Sequence, residues 1–236
     1  MHNYTDAHCH IKPNTMPPEN IVGRICNATN LAEWEQFFGA PFDGINFACI
    51  GIHPWHIENL GPGWRDEMRN ILQSNPTSMV GEIGLDKLKP DPEKQIEIFM
   101  AQMEIASDFI RPVHLHCVGA WDKVISILKN NKLPPVIVAH AFSGDAGQIQ
   151  MLADKYNMYF SYNNTHTDGK FAERVAATPE SRILIETDTF DAESEIEILQ
   201  NTSDIIASVR GCNSDEIIEQ AYQNFQRVIS YVRPID

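Results

Sequence analysis

The sequence predicts an α/β fold, a single (β/α)8 TIM-like barrel domain over residues 1–236, from two observations. Eight apolar, β-branched runs of strand length recur along the chain with amphipathic segments between most of them, and that alternation is the format of an eight-unit barrel of about 250 residues. The runs also end repeatedly on unusual polar residues: His8 and His10, His53, Glu82, His116, His140 and Asp188. A doubly wound open sheet would share the periodicity. The polar strand ends separate the two, because a barrel builds its site at the C-terminal ends of several strands at once.

The first strand is expected in NYTDAH near 3–8, the second in VGRICNA near 22–28 and the third in INFACIG near 45–51. The unit between the last two is the tightest, since residues 29–45 must hold a short helix and its turns. SMVGEIG near 78–84 and PVHLHCV near 112–118 supply the fourth and fifth strands, separated by the helical pattern of 91–110. A second clear helix, 118–131, leads to PVIVAHAF near 135–142. NMYFSY near 157–162 and RILIETD near 182–188 complete the series, and two amphipathic segments, 195–210 and 214–232, close the chain. Each assignment rests on period: strands read as short apolar runs, helices as apolar residues every three to four positions.

Composition bounds what the barrel can do. With 236 residues and 43% hydrophobic content a sizeable core is available. No stretch is long and apolar enough to span a membrane, and MHNYTDAH lacks the basic and apolar regions of a signal peptide, so a cytoplasmic location is expected. The five cysteines, Cys9, Cys26, Cys49, Cys117 and Cys212, contain no C-x-x-C pair and suit reduced, buried thiols. A formal net charge of −14 repels polyanions at long range and excludes broad, sequence-independent coating of nucleic acid. Local phosphate binding survives if bound metal supplies the positive charge.

The strand-end residues are of metal-binding types. Residues i and i+2 of a strand face the same side, so His8 and His10 point together into the barrel mouth. Glu82, His116, His140 and Asp188 follow at intervals of one, one and two barrel units of roughly 30 residues. Imidazole and carboxylate suit Zn²⁺, Mn²⁺ or Mg²⁺, and six such groups are too many for one tetrahedral ion. Two divalent ions bridged by a carboxylate is the economical arrangement, with Glu82 as bridge, and a paired centre of that kind performs hydrolysis. Taken singly, each histidine reads more often as a core residue with satisfied hydrogen bonds than as a ligand; the recurrence at strand ends favours the site.

The blocks DAHCHIK (6–12), GIHPWH (51–56), GEIGLD (81–86), PVHLHC (112–117), HAFSG (140–144) and IETD (185–188) resemble, in order, the signatures of the TatD-like metal-dependent deoxyribonucleases of the amidohydrolase superfamily. EKQIEIFMAQMEIA (93–106) and NFQRVI (224–229) are similar to the family's connecting segments. The resemblance implies a TIM-like barrel and a DNA phosphodiester substrate. It also implies one ion among His8, His10, Glu82 and Asp188 and a second among Glu82, His116 and His140, with His53 near the substrate and Asp188 as general base.

Two departures bear on substrate. Val118 stands where the family carries a basic residue, and the segment after Asp188 reads TFDAESEIE, with Asp191, Glu193, Glu195 and Glu197. That acidity favours, as an alternative, a small ester, lactone or amide; a non-catalytic metal-binding or scaffold protein is the alternative of another class. Lys12, Lys87 and Lys89 follow motif strands and are candidate phosphate contacts from the barrel mouth, against the commoner reading of loop lysines as simply solvated. Trp55, Trp121, Phe142 and Phe190 sit just past strand ends, where each either stacks on a base or lids the core. His114 shares a strand face with His116 and is expected one layer deeper, supporting or packing.

Overall fold

A computed structural model describes residues 2–37, 43–58 and 60–232. Its centre is one eight-stranded sheet in the order β1 to β8: Tyr4–Cys9, Ile21–Asn27, Asn46–Ile50, Met79–Asp86, Val113–Val118, Ile137–Ala139, Met158–Tyr162 and Ile183–Ile185. Every adjacent pair is parallel. β1, β4 and β7 are buried along their whole length, which is why they read as continuous apolar runs rather than alternating ones. Around the sheet lie α1 Leu31–Phe37, α2 Trp64–Ser74, α3 Pro92–Asp108, α4 Trp121–Asn130, α5 Ile149–Tyr156, α6 Phe171–Ala177, α7 Glu195–Arg210 and α8 Ser214–Ile229. This is the expected TIM-like barrel.

Local chemistry sets the helix ends. Pro92 opens α3, where a missing N–H does no harm. Gly211 ends α7 in the left-handed region at φ 67°. Asn213 and Glu216 form a capping box at the start of α8. The first crossover, residues 10–20, contains no helix; Pro13, Pro17 and Pro18 exclude one. The short helix expected within 29–45 is α1, and residues 38–42 of that interval lie outside the described residues.

Two strands are shorter than their sequence runs. β6 stops at Ala139 and β8 at Ile185, so His140 and the Glu186–Asp188 segment have left the ladder. Ala141 and Asp188 then adopt positive φ, 40° and 56°. The chain turns there because Ala141 N–H donates to the Glu186 carboxylate, 2.9 Å away, in place of a ladder partner.

Among the described residues no ladder joins β8 to β1, yet the barrel closes at the mouth. Asp188 N–H donates to His8 O at 2.9 Å, and His10 N–H to Thr189 O at 2.8 Å. Beneath them the buried Asp6 carboxylate accepts from His8 N at 3.1 Å, Thr187 N at 3.1 Å and Thr187 Oγ1 at 2.5 Å. α8 backs this seam: Phe225, Val228 and Ile229 cluster with Ala7 of β1 and Leu184 of β8. Asn224 Nδ2 latches the helix to Glu180 O and Ile183 O at 2.7 and 2.8 Å. Asp6→Ala would strand three buried donors. We expect a loss of about 3 kcal/mol or more in unfolding free energy, read from the midpoint of a urea transition, with Asp6→Asn losing less.

Candidate metal centre

Glu82 lies in the middle of β4, 3% exposed, and its two oxygens face different sets of histidines. Oε2 is 3.5 Å from His8 Nε2 and 3.4 Å from His10 Nε2. Oε1 is 3.3 Å from His53 Nε2, 2.8 Å from His116 Nδ1 and 2.8 Å from His140 Nε2. Asp188 Oδ1 adds a second carboxylate, 3.2 Å from His10 Nε2 and 3.9 Å from His8 Nε2. The six expected donors and His53 therefore meet in one place. Three ligand-sized groups occur within it: His8, His10 and Glu82; His53, Glu82 and His116; and His8, His140 and Asp188.

The donor set fits a divalent cation. Among the described residues Glu82 has only histidines as ionic partners. His8 is fully buried and neither of its ring nitrogens has a hydrogen-bond partner among the described residues, an arrangement that leaves a buried imidazole unsatisfied unless something else binds it. His10 Nδ1–H donates to Asn27 O at 2.9 Å, so its Nε2 lone pair faces the centre. Burial pulls the His8 pKa down, and His140 adds to the effect. Burial likewise takes His53 down to about 4 against the pull of Glu82. Both favour the neutral, ligating form. Burial works to raise the carboxyls of Glu82 and Asp188, but neighbouring histidines outweigh it and hold both below their ordinary values.

The motif glycines explain how Glu82 reaches this position. A Cβ on Gly81 would lie 2.6 Å from His114 Cβ, and one on Gly84 would lie 1.8 Å from His116 O. Only bare backbone lets β4 approach β5 so closely. His114 itself is fully buried, its ring 5.7 Å from that of His8, and neither nitrogen has a hydrogen-bond partner among the described residues.

Three carboxylates were not singled out by sequence reasoning, although all lie inside motif blocks. Asp6 closes the seam. Asp86 Oδ2 accepts from Trp55 Nε1 at 2.6 Å and sits 3.8 Å from His116 Nε2. Glu186, fully buried, takes Ala141 N at 2.9 Å, Asn163 Nδ2 at 3.0 Å and a short bond from Ser161 Oγ, with His140 Nδ1 3.5 Å away. β7, which offers no donor to the centre, thus supports the carboxylate behind His140. The available signal was a charged residue within an otherwise apolar run.

Lys12 and Lys87 are exposed on the loops after β1 and β4, and neither forms an ion pair among the described residues. The acidic segment is less acidic at the surface than its sequence. Glu195 is buried and pairs with Arg24 Nη1 at 3.2 Å, leaving Asp191, Glu193 and Glu197 outward. Cys9 and Cys117 are packed in the core, as expected.

Histidines and carboxylates converging at the mouth of an eight-stranded parallel barrel define a metal-dependent hydrolase. The chain belongs to the TatD-related DNase family, whose family model matches residues 5–230. It is 27% identical over 178 residues to the 3′-5′ ssDNA/RNA exonuclease TatD of Klebsiella pneumoniae, covering 71% of this chain and 66% of that one. With the uncharacterized metal-dependent hydrolase YjjV of Escherichia coli K12 it shares 30% identity over 151 residues, 61% of this chain and 58% of the relative. The crystal structure of YjjV superposes with a TM-score of 0.78 at 24% identity, covering 95% of this chain and 97% of that one. A TatD-family hydrolase structure from Entamoeba histolytica also gives 0.78, at 15% identity, over 96% of this chain and 98% of that one.

Removing Glu186 should disturb the centre from behind. Glu186→Ala deprives Ala141 N, Asn163 Nδ2 and Ser161 Oγ of their acceptor, and we expect Tm to fall by roughly 5–15 °C. Calorimetry on wild type, Glu186→Ala and Glu186→Gln measures this, and an Ala variant as stable as wild type would contradict it.

Proposed function

We propose that this chain is a two-metal-ion deoxyribonuclease that cleaves phosphodiester bonds at the ends of single-stranded DNA. The observation that carries the reading is the division of the Glu82 carboxylate, Oε2 toward His8 and His10 and Oε1 toward His53, His116 and His140. In this reading His8, His10, Glu82 and Asp188 hold one divalent ion and Glu82, His116 and His140 the other, with Mg²⁺, Mn²⁺ or Zn²⁺ as candidates. Such ions, when bound, supply positive charge to phosphate oxygens and lower the pKa of the attacking water. The exonuclease activity of the Klebsiella relative supports the substrate class, and the family match over 5–230 supports treating 1–236 as one catalytic domain.

The chain's own groups then have distinct tasks. Asp188, held ionised by its His10 contact against the effect of burial, has an oxygen that accepts the proton of the attacking water. Glu82 stays ionised and divides its charge between the two histidine sets. His53 lines the centre and is assigned to substrate, as are Lys12 and Lys87 on the rim. The net charge of −14 keeps binding weak and local. No helix of the described residues is long and apolar enough to cross a membrane.

The test is purified protein with Mn²⁺ or Mg²⁺ on end-labelled single-stranded DNA, beside a generic phosphodiester and a p-nitrophenyl ester. Turnover of the ester alone would replace the nuclease with an esterase. Elemental analysis after loading should give up to two ions per chain, falling sharply in the His8→Ala, His10→Ala double variant. Asp188→Asn keeps the size and one oxygen donor but removes the basic oxygen. It should retain much of its metal and lose on the order of 10²-fold in kcat; a fully loaded, fully active variant would remove Asp188 from the mechanism.

A further inference from the structure

Four aromatics follow strand ends, and the structure divides them. Trp121 and Phe142 are buried and pack edge to face at 4.8 Å, with Phe142 also 4.8 Å from Phe160. They lid the core. Trp55 and Phe190 are instead 54% and 74% exposed, on the loops after β3 and β8.

Both exposed rings are held against the metal-centre histidines. Phe190 stacks on His10 with centroids 4.6 Å apart and planes 18° apart. Trp55 meets His53 edge-on at 5.1 Å, lies 6.4 Å from His116, and is fixed by its Nε1 bond to Asp86. The two rings thus rest on different histidines of the centre, Phe190 on His10, which faces Glu82 Oε2, and Trp55 on His53 and near His116, which face Oε1.

The geometry points to a two-ring base-stacking subsite, Phe190 and Trp55 each taking one nucleobase from the nucleotides that flank the phosphate at Glu82 and Asp188. This rests on the nuclease reading and extends it to how the strand is recognised. Aromatic faces accept any base, and they require bases free of a duplex partner, so the subsite selects single strands without reading sequence. The charges around the rings divide the roles. Lys89 Nζ lies 4.1 Å from the Trp55 centroid and brings positive charge for a phosphate on that side. Asp191 and Glu193, exposed just past Phe190, repel a continuing backbone. Phe190 therefore takes the terminal base and Trp55 the next one inward.

The test compares a single-stranded oligonucleotide with the same strand carrying abasic tetrahydrofuran residues at its last two 3′ positions, in Mn²⁺. Wild type should favour the base-bearing end on the order of 10-fold or more in kcat/KM, mainly through KM. Phe190→Leu, apolar but unable to stack, should reduce that ratio several-fold, and Phe190→Tyr should keep it. Equal kcat/KM for the two strands in wild type, or a full preference in Phe190→Leu, overturns the subsite and leaves the nuclease standing. Cleavage of neither strand overturns both. The wild-type comparison decides the matter even if a variant fails to fold.

Discussion

A carboxylate buried to 3% exposure, with no lysine or arginine as an ionic partner among the described residues, is the constraint around which this barrel is arranged. Transfer of an isolated charge into a protein interior is prohibitive unless other groups neutralise or hydrogen-bond it. Around Glu82 stand five imidazoles from β1, β5 and the segments just after β1, β3 and β6; His116 and His140 lie at hydrogen-bond distance from Oε1, and the others present nitrogens suited to a cation that would complete the neutralisation. The same contacts draw the strand ends inward, so stability and site geometry are set by one set of groups. The supporting layer follows the same rule, since Glu186 Oε1 accepts from Ala141 N and Asn163 Nδ2 and Asp86 Oδ1 accepts from Leu88 N.

The seam between β8 and β1 has the complementary role. Its backbone bonds run directly between a histidine-bearing segment, His8 to His10, and the segment that carries Asp188. A shift of the seam moves the two carboxylates relative to one another. Asp6 prevents that shift from below, and Asn224 and the apolar face of α8 do so from outside.

The strand runs and the six donors were legible because each depends on local chemistry repeated at barrel spacing. Other features depend on partners far along the chain. Glu195 reads as one more acid in an acidic loop until it is seen to pair with Arg24, 171 residues away. The lengths of β6 and β8 were over-read because Ala141 leaves the ladder for Glu186, a bond that no window around His140 contains. The helix-free first crossover was written in its three prolines. His53 was placed near the substrate by resemblance alone, and the geometry sets it at the same range from Glu82 as the other histidines.

The Asp6–Thr187 bond spans 181 positions of chain, and that separation governs the order in which the molecule can form. A growing polypeptide has His8 and His10 almost at once, but the segment that completes their surroundings is made only after most of the barrel has left the ribosome. Closing so long a loop is entropically slow and contributes to a high contact order. Until it closes, β1 is an open edge with two solvent-facing imidazoles, a state exposed to strand mispairing and to stray cations. The placement of Asp188 beside His8 and His10 is therefore among the late events of folding, because it waits for this seam.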